Sequence, residues 1–472
     1  MRLLIFLFLF ITVSSFAQVE VMNMYQFEKK NGVVDLSTMR RLRGRRTTFG
    51  QWNGPSRNKI WQSLKVFALE NGLDFEDYNS DLSLNISVEM GPEGLIKSLL
   101  YMTRETMEGS SEDTYRVRYD DNYPDGFEEK LRTILFDFAR EYRMHSVSLN
   151  SEFYPLSYNL KPSERKVEPG AISTLEEALT ADPLSVKSVD FSNLKLREFP
   201  EIIFSFENLE NLDLTQNLLK EVPRKLWKLD KLKYLNLSRN QIGNDDFNFR
   251  RNKNLVSLNM QYNRVTEIPD NIHRLRSLSD LLLGNNFLTS LESQKMKPMP
   301  SLKTLNLYNA ELVRYPEGIE AFENLEELDL YYNALNILSP DIAKLQHLKT
   351  LAVSNNRLWK LPEELGHLDS LQTLYAHHNK LETLPALSPS LTYLDIGYNR
   401  FEKLPEAIIE LSDIYELDIS NNRLKEVPEM LKKLEKLENI FLSDNPLQDD
   451  AKTKSAFQEF IVDLESRGVN VR

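Results

Sequence analysis

A repeating unit of 23 residues constrains this chain most, because a short period repeated many times cannot form an ordinary globular core. The pattern Leu-x-x-Leu-x-Leu-x-x-Asn-x-Leu begins at Leu209 and restarts ten more times, the last at Leu437. A related stretch begins one unit upstream at Val186, so the chain carries twelve repeats. Nine of the eleven intervals are 23 residues; the interval from Leu278 is 24 and that from Leu371 is 20. Units of this kind bury their apolar side chains only against neighbours, which predicts a solenoid.

Several positions of the repeat have a readable physical role. The Leu-x-Leu pair alternates inward and outward with a period of two, which indicates a short strand with one buried face. The ninth position is Asn in ten of the twelve repeats, where a side-chain amide can satisfy backbone groups as the chain leaves the strand. We therefore predict a buried ladder of amides, broken by Leu194 and Ala310 in repeats one and six. The ten residues are Asn217, Asn240, Asn263, Asn286, Asn333, Asn356, Asn379, Asn399, Asn422 and Asn445.

Eight repeats carry a proline after the apolar residue of the second turn. Proline ends strand pairing and starts a short helical or irregular segment on the opposite side of the repeat. With the leucine and asparagine positions, these prolines make the chain resemble the leucine-rich-repeat family, in particular its 23-residue Leu-Pro type. The resemblance covers over half of the chain and implies an α/β solenoid, a leucine-rich-repeat horseshoe of about 12 repeats, preceded by a small α+β domain. The prolines are Pro200, Pro223, Pro269, Pro316, Pro362, Pro385, Pro405 and Pro428.

The ends of a solenoid need covers, because the first and last repeats each leave one side of the core open. We expect residues 171–185 to cover the first repeat, residues 186–447 to form the repeats, and residues 448–472 to be a helical C-terminal cover. The apolar residues of the last segment follow the i, i+3, i+4, i+7 spacing of an amphipathic helix. The residues assigned to the two covers are Thr174, Leu175, Ala178 and Leu179, then Phe457, Phe460, Ile461 and Leu464.

Residues 1–17 have the form of a secretory signal peptide. Arg2 supplies a positive charge, Leu3 to Ile11 are apolar throughout, and small residues at Ser15 and Ala17 precede a cleavage site before Gln18. A membrane anchor is the competing interpretation, but the apolar stretch is shorter than the roughly 20 residues of a spanning helix. We therefore expect a protein exported to the periplasm or outside the cell, with no stable membrane span. An exported chain without cysteine resembles bacterial members of the repeat family.

Residues 18–55 contain a basic run between Arg40 and Arg46. We interpret this segment as a solvated linker, and a patch that binds anions or an acidic partner is the alternative. Residues 56–168 are predicted to form the small α+β domain, because alternating apolar residues at 82–90 indicate a strand with one buried face. The other predicted elements are helices around Leu64 and over 127–142, and strands at 95–102 and 153–160.

The helix-strand-strand-helix-strand order of this region resembles the C-terminal domain of TonB-type energy transducers. The resemblance rests on the patterns at residues 86–101 and 127–138. The tryptophan-proline signature usual in that family is missing, as are a retained anchor and a long proline-rich spacer. The resemblance therefore implies an interaction module and no energy-transducing role.

Motifs of catalysis and cofactor binding are missing from the sequence. There is no phosphate-binding loop, dinucleotide fingerprint, zinc-protease helix or nucleophile elbow, and there is no cysteine to act as a nucleophile or metal ligand. Apart from the pair His377 and His378, the six histidines are dispersed. We expect no enzyme, no cofactor and no metal site; an enzyme hidden in the N-terminal region is the remaining alternative. The net charge of −12 argues against nucleic acid as a partner.

Binding is better supported, because aromatic residues occupy exposed positions of the repeat. The third, fifth and seventh positions point outward from each strand, and the eighth lies beside them. In repeats six to ten these positions carry tyrosine and histidine, with acidic residues among and beside them at Glu327, Asp329, Asp395, Glu416 and Asp418. Tyrosine offers a large contact area with a hydroxyl and is enriched where binding energy concentrates. The predicted partner-binding residues are Tyr308, Tyr331, Tyr332, Tyr375, His377, His378, Tyr393 and Tyr398.

Three interpretations of these side chains remain open. The first is a monomeric, non-enzymatic recognition or scaffold protein that holds a protein partner of basic or mixed charge on its concave face. The second is a glycan-binding protein of the envelope or the exterior, in which the same rings stack on sugars. The third gives the tyrosines no binding role, since tyrosine is also a favoured strand residue.

Overall fold

A computed structural model describes residues 167–472 apart from residues 168, 245–248, 250–251, 270, 289–290, 292–295 and 448–450. Upstream it describes five strands and the helical residues Leu64, Phe67, Ala68, Leu131 and Thr133 to Leu135. The chain divides into two compact units, Met1–Lys166 and Val167–Arg472. No helix among the described residues is long and apolar enough to cross a membrane. The basic run between Arg40 and Arg46 lies outside the described residues.

The first unit contains an antiparallel sheet with the strand order β2-β1-β4-β3-β5. The predicted strands at 82–90, 95–102 and 153–160 are confirmed, and the predicted helices contain the buried residues Leu64 and Leu135. The strands are β1 (Leu7–Ile11), β2 (Val19–Asn23), β3 (Leu82–Met90), β4 (Ile96–Glu105) and β5 (Phe153–Asn159).

Strands β1 and β2 lie where the sequence predicts a signal peptide and a linker. In the uncleaved chain, the apolar run Leu7–Ile11 pairs along its whole length with Val19–Asn23, and Leu7 pairs with Tyr101 of β4. An apolar run satisfies the requirements of a signal peptide and of a buried strand equally well, so the pattern alone does not separate the two. Cleavage before Gln18 stays a prediction.

The second unit is a solenoid built on a parallel sheet of thirteen strands, β6 to β18, stacked in chain order. Twelve of them are the predicted strands, and each pairs in register with the next, so that the central leucines align, as in Leu328 with Leu351. The strands are Ser188–Asp190, Asn211–Asp213, Tyr234–Asn236, Ser257–Asn259, Asp280–Leu282, Thr304–Asn306, Glu327–Asp329, Thr350–Ala352, Thr373–Tyr375, Tyr393–Asp395, Glu416–Asp418, Asn439–Phe441 and Asn470–Val471.

Short 3-10 helices lie on the side of the solenoid opposite the sheet. Five of those described start directly after a predicted proline, because proline fixes the backbone angle that a helical turn needs. Helical turns need more space than strands, so the sheet lies on the concave side. The described 3-10 helices are Glu201–Ser205, Arg224–Lys228, Ile272–Arg274, Ile319–Ala321, Pro340–Lys344, Glu363–His367, Glu406–Glu410 and Glu429–Lys433.

The predicted asparagine ladder is confirmed and ties each repeat to the one before it. The side-chain amide of Asn240 donates to Leu214 O at 2.9 Å and to Leu237 O at 3.0 Å, and its oxygen accepts from Leu219 N at 3.0 Å. In repeats one and six, which lack this Asn, the following residue takes a left-handed backbone, with φ of 56° at Lys195 and 63° at Glu311. The ladder satisfies backbone groups that the leucine core cannot satisfy.

The helix α1 (Leu175–Thr180) begins at a capping box in which Thr174 Oγ1 accepts from Glu177 N at 3.1 Å. The prediction that Leu175 and Leu179 shield the first strand is wrong. Their side chains are 39% and 72% exposed, and Ala178 alone is buried.

The C-terminal cover has one more element than the sequence predicts. The helix α2 (Ala451–Ser466) buries Phe457, Phe460 and Leu464 as expected. After a turn at Gly468, where φ is 86°, the chain adds β18 in parallel to β17. The last strand edge of the repeats is therefore paired, which removes a template for unwanted association.

Candidate functional site on the sheet surface of repeats six to ten

The eighth position of every repeat has a left-handed backbone, which the sequence interpretation missed. This conformation costs about 1–2 kcal/mol for most residues and is tolerated best by Gly, Asn and Asp. Asn or Asp fills the position in six of the twelve repeats, whereas Tyr262, Tyr332, His378 and Tyr398 fill it with rings. Backbone preference therefore does not explain these rings. The twelve residues are Asn193, Gln216, Arg239, Tyr262, Asn285, Asn309, Tyr332, Asn355, His378, Tyr398, Asn421 and Asp444.

The structure brings the eight predicted binding residues into two groups, together called the tyrosine–histidine cluster. In the larger group, Tyr331 lies at the centre, with ring centroids 5.8 Å from Tyr308, 4.3 Å from Tyr332 and 5.4 Å from His377. The group continues through His378, whose ring stacks on Tyr398 at 3.9 Å.

The smaller group of the cluster is the pair Tyr375 and Tyr393 on neighbouring strands β14 and β15, with ring centroids 5.0 Å apart. Burial raises the pKa of both phenols, so both keep their protons at neutral pH. The carboxylates of Asp395 and Glu416 raise both pKa values further, which places these acidic groups next to the pair.

A chain of polar contacts crosses the larger group. The Tyr331 hydroxyl lies 3.2 Å from His377 Nε2, and His377 Nδ1 lies 2.8 Å from His378 Nδ1, so only one of the two Nδ1 atoms carries a proton. The carboxylate of Asp395 lies 3.8 Å from His377 Nε2. Burial, with a smaller effect of His378, lowers the pKa of His377 to about 4, so this ring is neutral at pH 7.

The Tyr331–His377 contact spans a whole repeat. Tyr331 belongs to repeat seven and His377 to repeat nine, and strands two apart in a sheet are separated by roughly 10 Å. The two side chains therefore lean towards each other over repeat eight, whose seventh position is Ser354. Ser354 is 0% exposed, and its hydroxyl has no hydrogen-bond partner among the described residues.

The acidic residues at the fifth position have a structural role that the sequence interpretation missed. Each accepts a hydrogen bond from the backbone two residues later, at 3.0 Å for Asp329, 3.1 Å for Asp395 and 2.8 Å for Asp418. This local turn recurs with Asp or Asn in other repeats, for example at Asp213. One carboxylate oxygen thus holds the chain where it leaves the strand.

These carboxylates are partly withdrawn from water. Burial raises the pKa of Asp329 to about 6. Burial and the neighbouring Asp418 raise the pKa of Asp395 to about 7. Desolvation opposes ionisation, so these groups are ready to be stabilised by a cation.

Acidic residues at the margins of the sheet already have cationic partners. Glu326 lies 2.8 Å from Lys303 and 2.6 Å from Lys349, which together hold its pKa at about 2. Glu210 pairs likewise with Lys233, at 2.6 Å. Within the described residues, by contrast, no Lys or Arg pairs with the carboxylates of the outward positions, which are Glu327, Asp329, Asp395, Glu416 and Asp418. No group of three or more His, Asp or Glu in the described part of the chain could hold a metal ion.

Comparisons with known proteins address the fold. The family model described as "Leucine rich repeat" matches residues 185–242, 323–381 and 389–447. A leucine-rich-repeat protein of Leptospira interrogans is 22% identical, with a TM-score of 0.36 over 65% of this chain and 100% of its own. The functional domain of the internalin InlJ from Listeria monocytogenes is 20% identical, with a TM-score of 0.46 over 58% of this chain and 56% of its own.

A third solved structure has a TM-score of 0.50 and 23% identity over 60% of this chain and 88% of its own. It comes from an octameric complex of Latrophilin 3, Unc5D and FLRT2, in which FLRT2 supplies leucine-rich repeats. No curated protein sequence matches this one. The resemblance of the N-terminal region to TonB-type transducers stays a prediction. The family model matches within residues 185–447, and the parallel sheet and the asparagine ladder of the same residues are those of a leucine-rich-repeat solenoid.

Proposed function

We propose that this chain is a non-enzymatic recognition protein that binds a protein partner of basic or mixed charge on the concave sheet surface of repeats six to ten. The observation that carries the proposal is the tyrosine–histidine cluster, whose eight rings form two contacting groups on repeats six, seven, nine and ten. Five strands cover roughly 20 Å, which matches a protein loop or a helix. Rings that retain a polar atom are the side chains in which binding energy concentrates.

The unpaired carboxylates support the choice of a basic or mixed-charge partner. A charged surface that complements its partner increases the association rate and selects against partners of the wrong charge. The acidic residues of the margins are neutralised by lysines of adjacent repeats, whereas those between the rings are not. The use of the same fold in the FLRT2 assembly agrees with protein binding.

The experiment replaces Tyr331, Tyr332 and Tyr375 together by alanine in the full chain. We expect partner capture from a cell-envelope fraction to be lost, because the substitutions remove the centre of the larger group and half of the smaller one. The matched control is Tyr234→Ala, which removes a 52% exposed tyrosine from the same sheet surface in repeat three. Capture that survives the triple substitution would overturn the assignment of the site.

Glycan binding is the alternative, because Tyr398 is 49% exposed and its ring is held parallel to His378. Such a ring could stack on a sugar face. A glycan array with the full chain separates the two functions. Reproducible saccharide binding that is lost in Tyr398→Ala would replace the protein-binding proposal.

We further propose that the protein is exported after removal of residues 1–17. The support is the order of one positive charge, an apolar run and small residues before Gln18. N-terminal sequencing of the protein recovered from the native host tests this directly. A mature chain that still begins at Met1 would rule it out.

A further inference from the structure

The hydroxyl of Ser354 is buried and makes no hydrogen bond to the described residues. A hydroxyl buried without a partner is unfavourable, so such a group needs an explanation. Ser354 belongs to the repeat between those of Tyr331 and His377, whose side chains contact each other across that repeat. A ligand group that separates this contact would reach the Ser354 hydroxyl, the Tyr331 hydroxyl and His377 Nε2 together.

A carboxylate lies beside the contact between Tyr331 and His377. Asp395 Oδ2 is 3.8 Å from His377 Nε2, and its other oxygen is used by Gly397 N. Asp418 follows on the next strand, paired in register with Asp395. At Gly397 a Cβ atom would come within 3.0 Å of Asp418 Oδ1, so the missing side chain leaves room for this second carboxylate.

We propose that Tyr331, Ser354, His377 and Asp395 form a subsite that takes one arginine side chain of the protein partner. This inference rests on the proposed function and specifies how the partner is held. The groups around the subsite offer carboxylate, hydroxyl and imidazole atoms, which suit a ligand with many hydrogen-bond donors. A guanidinium has five N–H donors in one plane and no acceptor.

Arginine fits this surface better than lysine for two physical reasons. A planar guanidinium stacks on aromatic rings and is more weakly hydrated than an ammonium group, so it enters a partly dehydrated site at lower cost. Tyr375 and Tyr393 present such rings, and the carboxylate of Asp395 raises the pKa of both phenols. The raised pKa of Asp395 also favours a cationic ligand, because a cation at this carboxylate would restore its ionised form.

The test uses the full chain labelled with ¹³C in its histidine rings and three capped tripeptides. The peptides are acetyl-Gly-Arg-Gly-amide, its lysine analogue and its citrulline analogue, which keeps the shape of arginine without the charge. With six histidines in the sequence, the signals of His377 and His378 are assignable from His377→Gln and His378→Gln variants. We expect saturable shifts of these two signals with the arginine peptide, weaker binding of lysine and none of citrulline.

Two substitutions locate the subsite. Asp395→Asn keeps the oxygen that accepts from Gly397 N but removes the charge, so we expect the arginine peptide to bind at least about tenfold more weakly. The matched control is Asp213→Asn, which alters the equivalent carboxylate of repeat two and leaves peptide binding unchanged. Ser354→Ala removes the buried hydroxyl, and we expect binding to weaken by a smaller factor.

Equal binding of arginine and citrulline peptides, an unaltered affinity in Asp395→Asn, or no shift at any soluble peptide concentration would each overturn the inference. These results leave the proposed function standing if the triple tyrosine variant still loses its partner. Retained capture by the triple variant contradicts the proposed function, whatever the peptides do. The two failures are therefore distinguishable.

Discussion

The asparagine ladder and the tyrosine–histidine cluster occupy neighbouring positions of the same repeats and differ in how their polar atoms are used. In the ladder, Asn240 satisfies three backbone groups through its own amide, and the same contacts recur from repeat to repeat. Beside the cluster, the Ser354 hydroxyl has no hydrogen-bond partner among the described residues, and no Lys or Arg described there pairs with Asp395. The ladder uses its own polar atoms fully, whereas the sheet surface at Ser354 and Asp395 has unmet capacity for hydrogen bonds and charge.

The difference distinguishes side chains whose polar atoms the fold uses fully from side chains that keep capacity for further contacts. A ladder position tolerates almost no variety, because each amide replaces specific backbone partners. The outward positions carry no such constraint except at the fifth residue, where Asp or Asn holds the local turn. Stacking among the rings is a reason for their presence that lies within the fold, and the proposed binding is one that lies outside it.

The largest expected effect is on the ladder. Asn240→Ala leaves the amide of Leu219 without a partner in the interior, while the carbonyls of Leu214 and Leu237 each lose one of two donors and keep those from Asn217 and Asn263. At about 1–3 kcal/mol for the unsatisfied amide and about 0.5–1 kcal/mol for each lost carbonyl bond, the free energy of unfolding should fall by roughly 3 kcal/mol at every pH from 5 to 8, because an amide does not titrate. Urea denaturation measures this loss.

The control for the ladder substitution is Tyr234→Ala in the same repeat, which is exposed and should change the free energy of unfolding by less than about 0.5 kcal/mol. A loss in Asn240→Ala no larger than in this control would contradict the structural role of the ladder. Because solenoids can unfold in segments, hydrogen exchange of the backbone amides in repeats two to four should be measured as well as the denaturation curves.

The second prediction is that Asp395→Asn stabilises the protein at high pH. The pKa of Asp395 rises from 3.8 to about 7, so the native state binds a proton that the unfolded state has lost. A native pKa above the unfolded value means that the wild-type protein loses stability as the pH rises from 4 to 7. The shift of about 3 units corresponds to at most about 4 kcal/mol, and residual solvent access reduces the expected gain of the variant to about 2 kcal/mol at pH 8.

Denaturation at pH 8 and at pH 4 checks this second prediction. The gain should be nearly lost at pH 4, where the wild-type carboxyl is protonated in the native state and only partly ionised in the unfolded state, whose pKa is 3.8. His377 has the opposite sign, since its lowered pKa makes the native state less stable as the pH falls from 6.5 to 4, so the comparison is made between variant and wild type at each pH. A variant less stable than the wild type at pH 8 would show that the ionised carboxylate stabilises the folded state. The stated difference between the ladder and the sheet surface would then be wrong.

The sequence predicts the parts of this molecule that repeat. Twelve strands, the ladder and the 3-10 helices after proline follow from positions that recur many times, so a single irregular repeat hardly disturbs them. The helix α2 occurs once and follows from its own amphipathic spacing. The membership of the cluster was also predictable, because alternation decides which side chains leave the strand.

Features set by one local geometry were not predictable in the same way. The exposure of Leu179 reflects how one six-residue helix is rotated, and the strand β18 is two residues long. The left-handed eighth position and the turn held by Asp395 are invisible to hydrophobic periodicity, because both concern backbone angles. The frequent Asn and Asp at the eighth position were the one sequence signal of its left-handed backbone.

The smallest expected effect tests whether the fold or the binding function selects a ring at the eighth position. Tyr398 has φ of 53°, a conformation that Asn adopts more easily, and it stacks on His378 at 3.9 Å. Tyr398→Asn should gain about 1 kcal/mol from the backbone and lose a similar amount of stacking, so its stability should stay within about 0.5 kcal/mol of the wild type. Tyr398→Ala loses the stacking without the backbone gain and should be about 1 kcal/mol less stable. If Tyr398→Asn folds equally well but captures the partner more weakly, the ring is kept for binding. If Tyr398→Asn is destabilised as much as the alanine variant and still binds, the ring stabilises the fold and is not needed for binding. The eighth position would then have a structural role, as the ninth has.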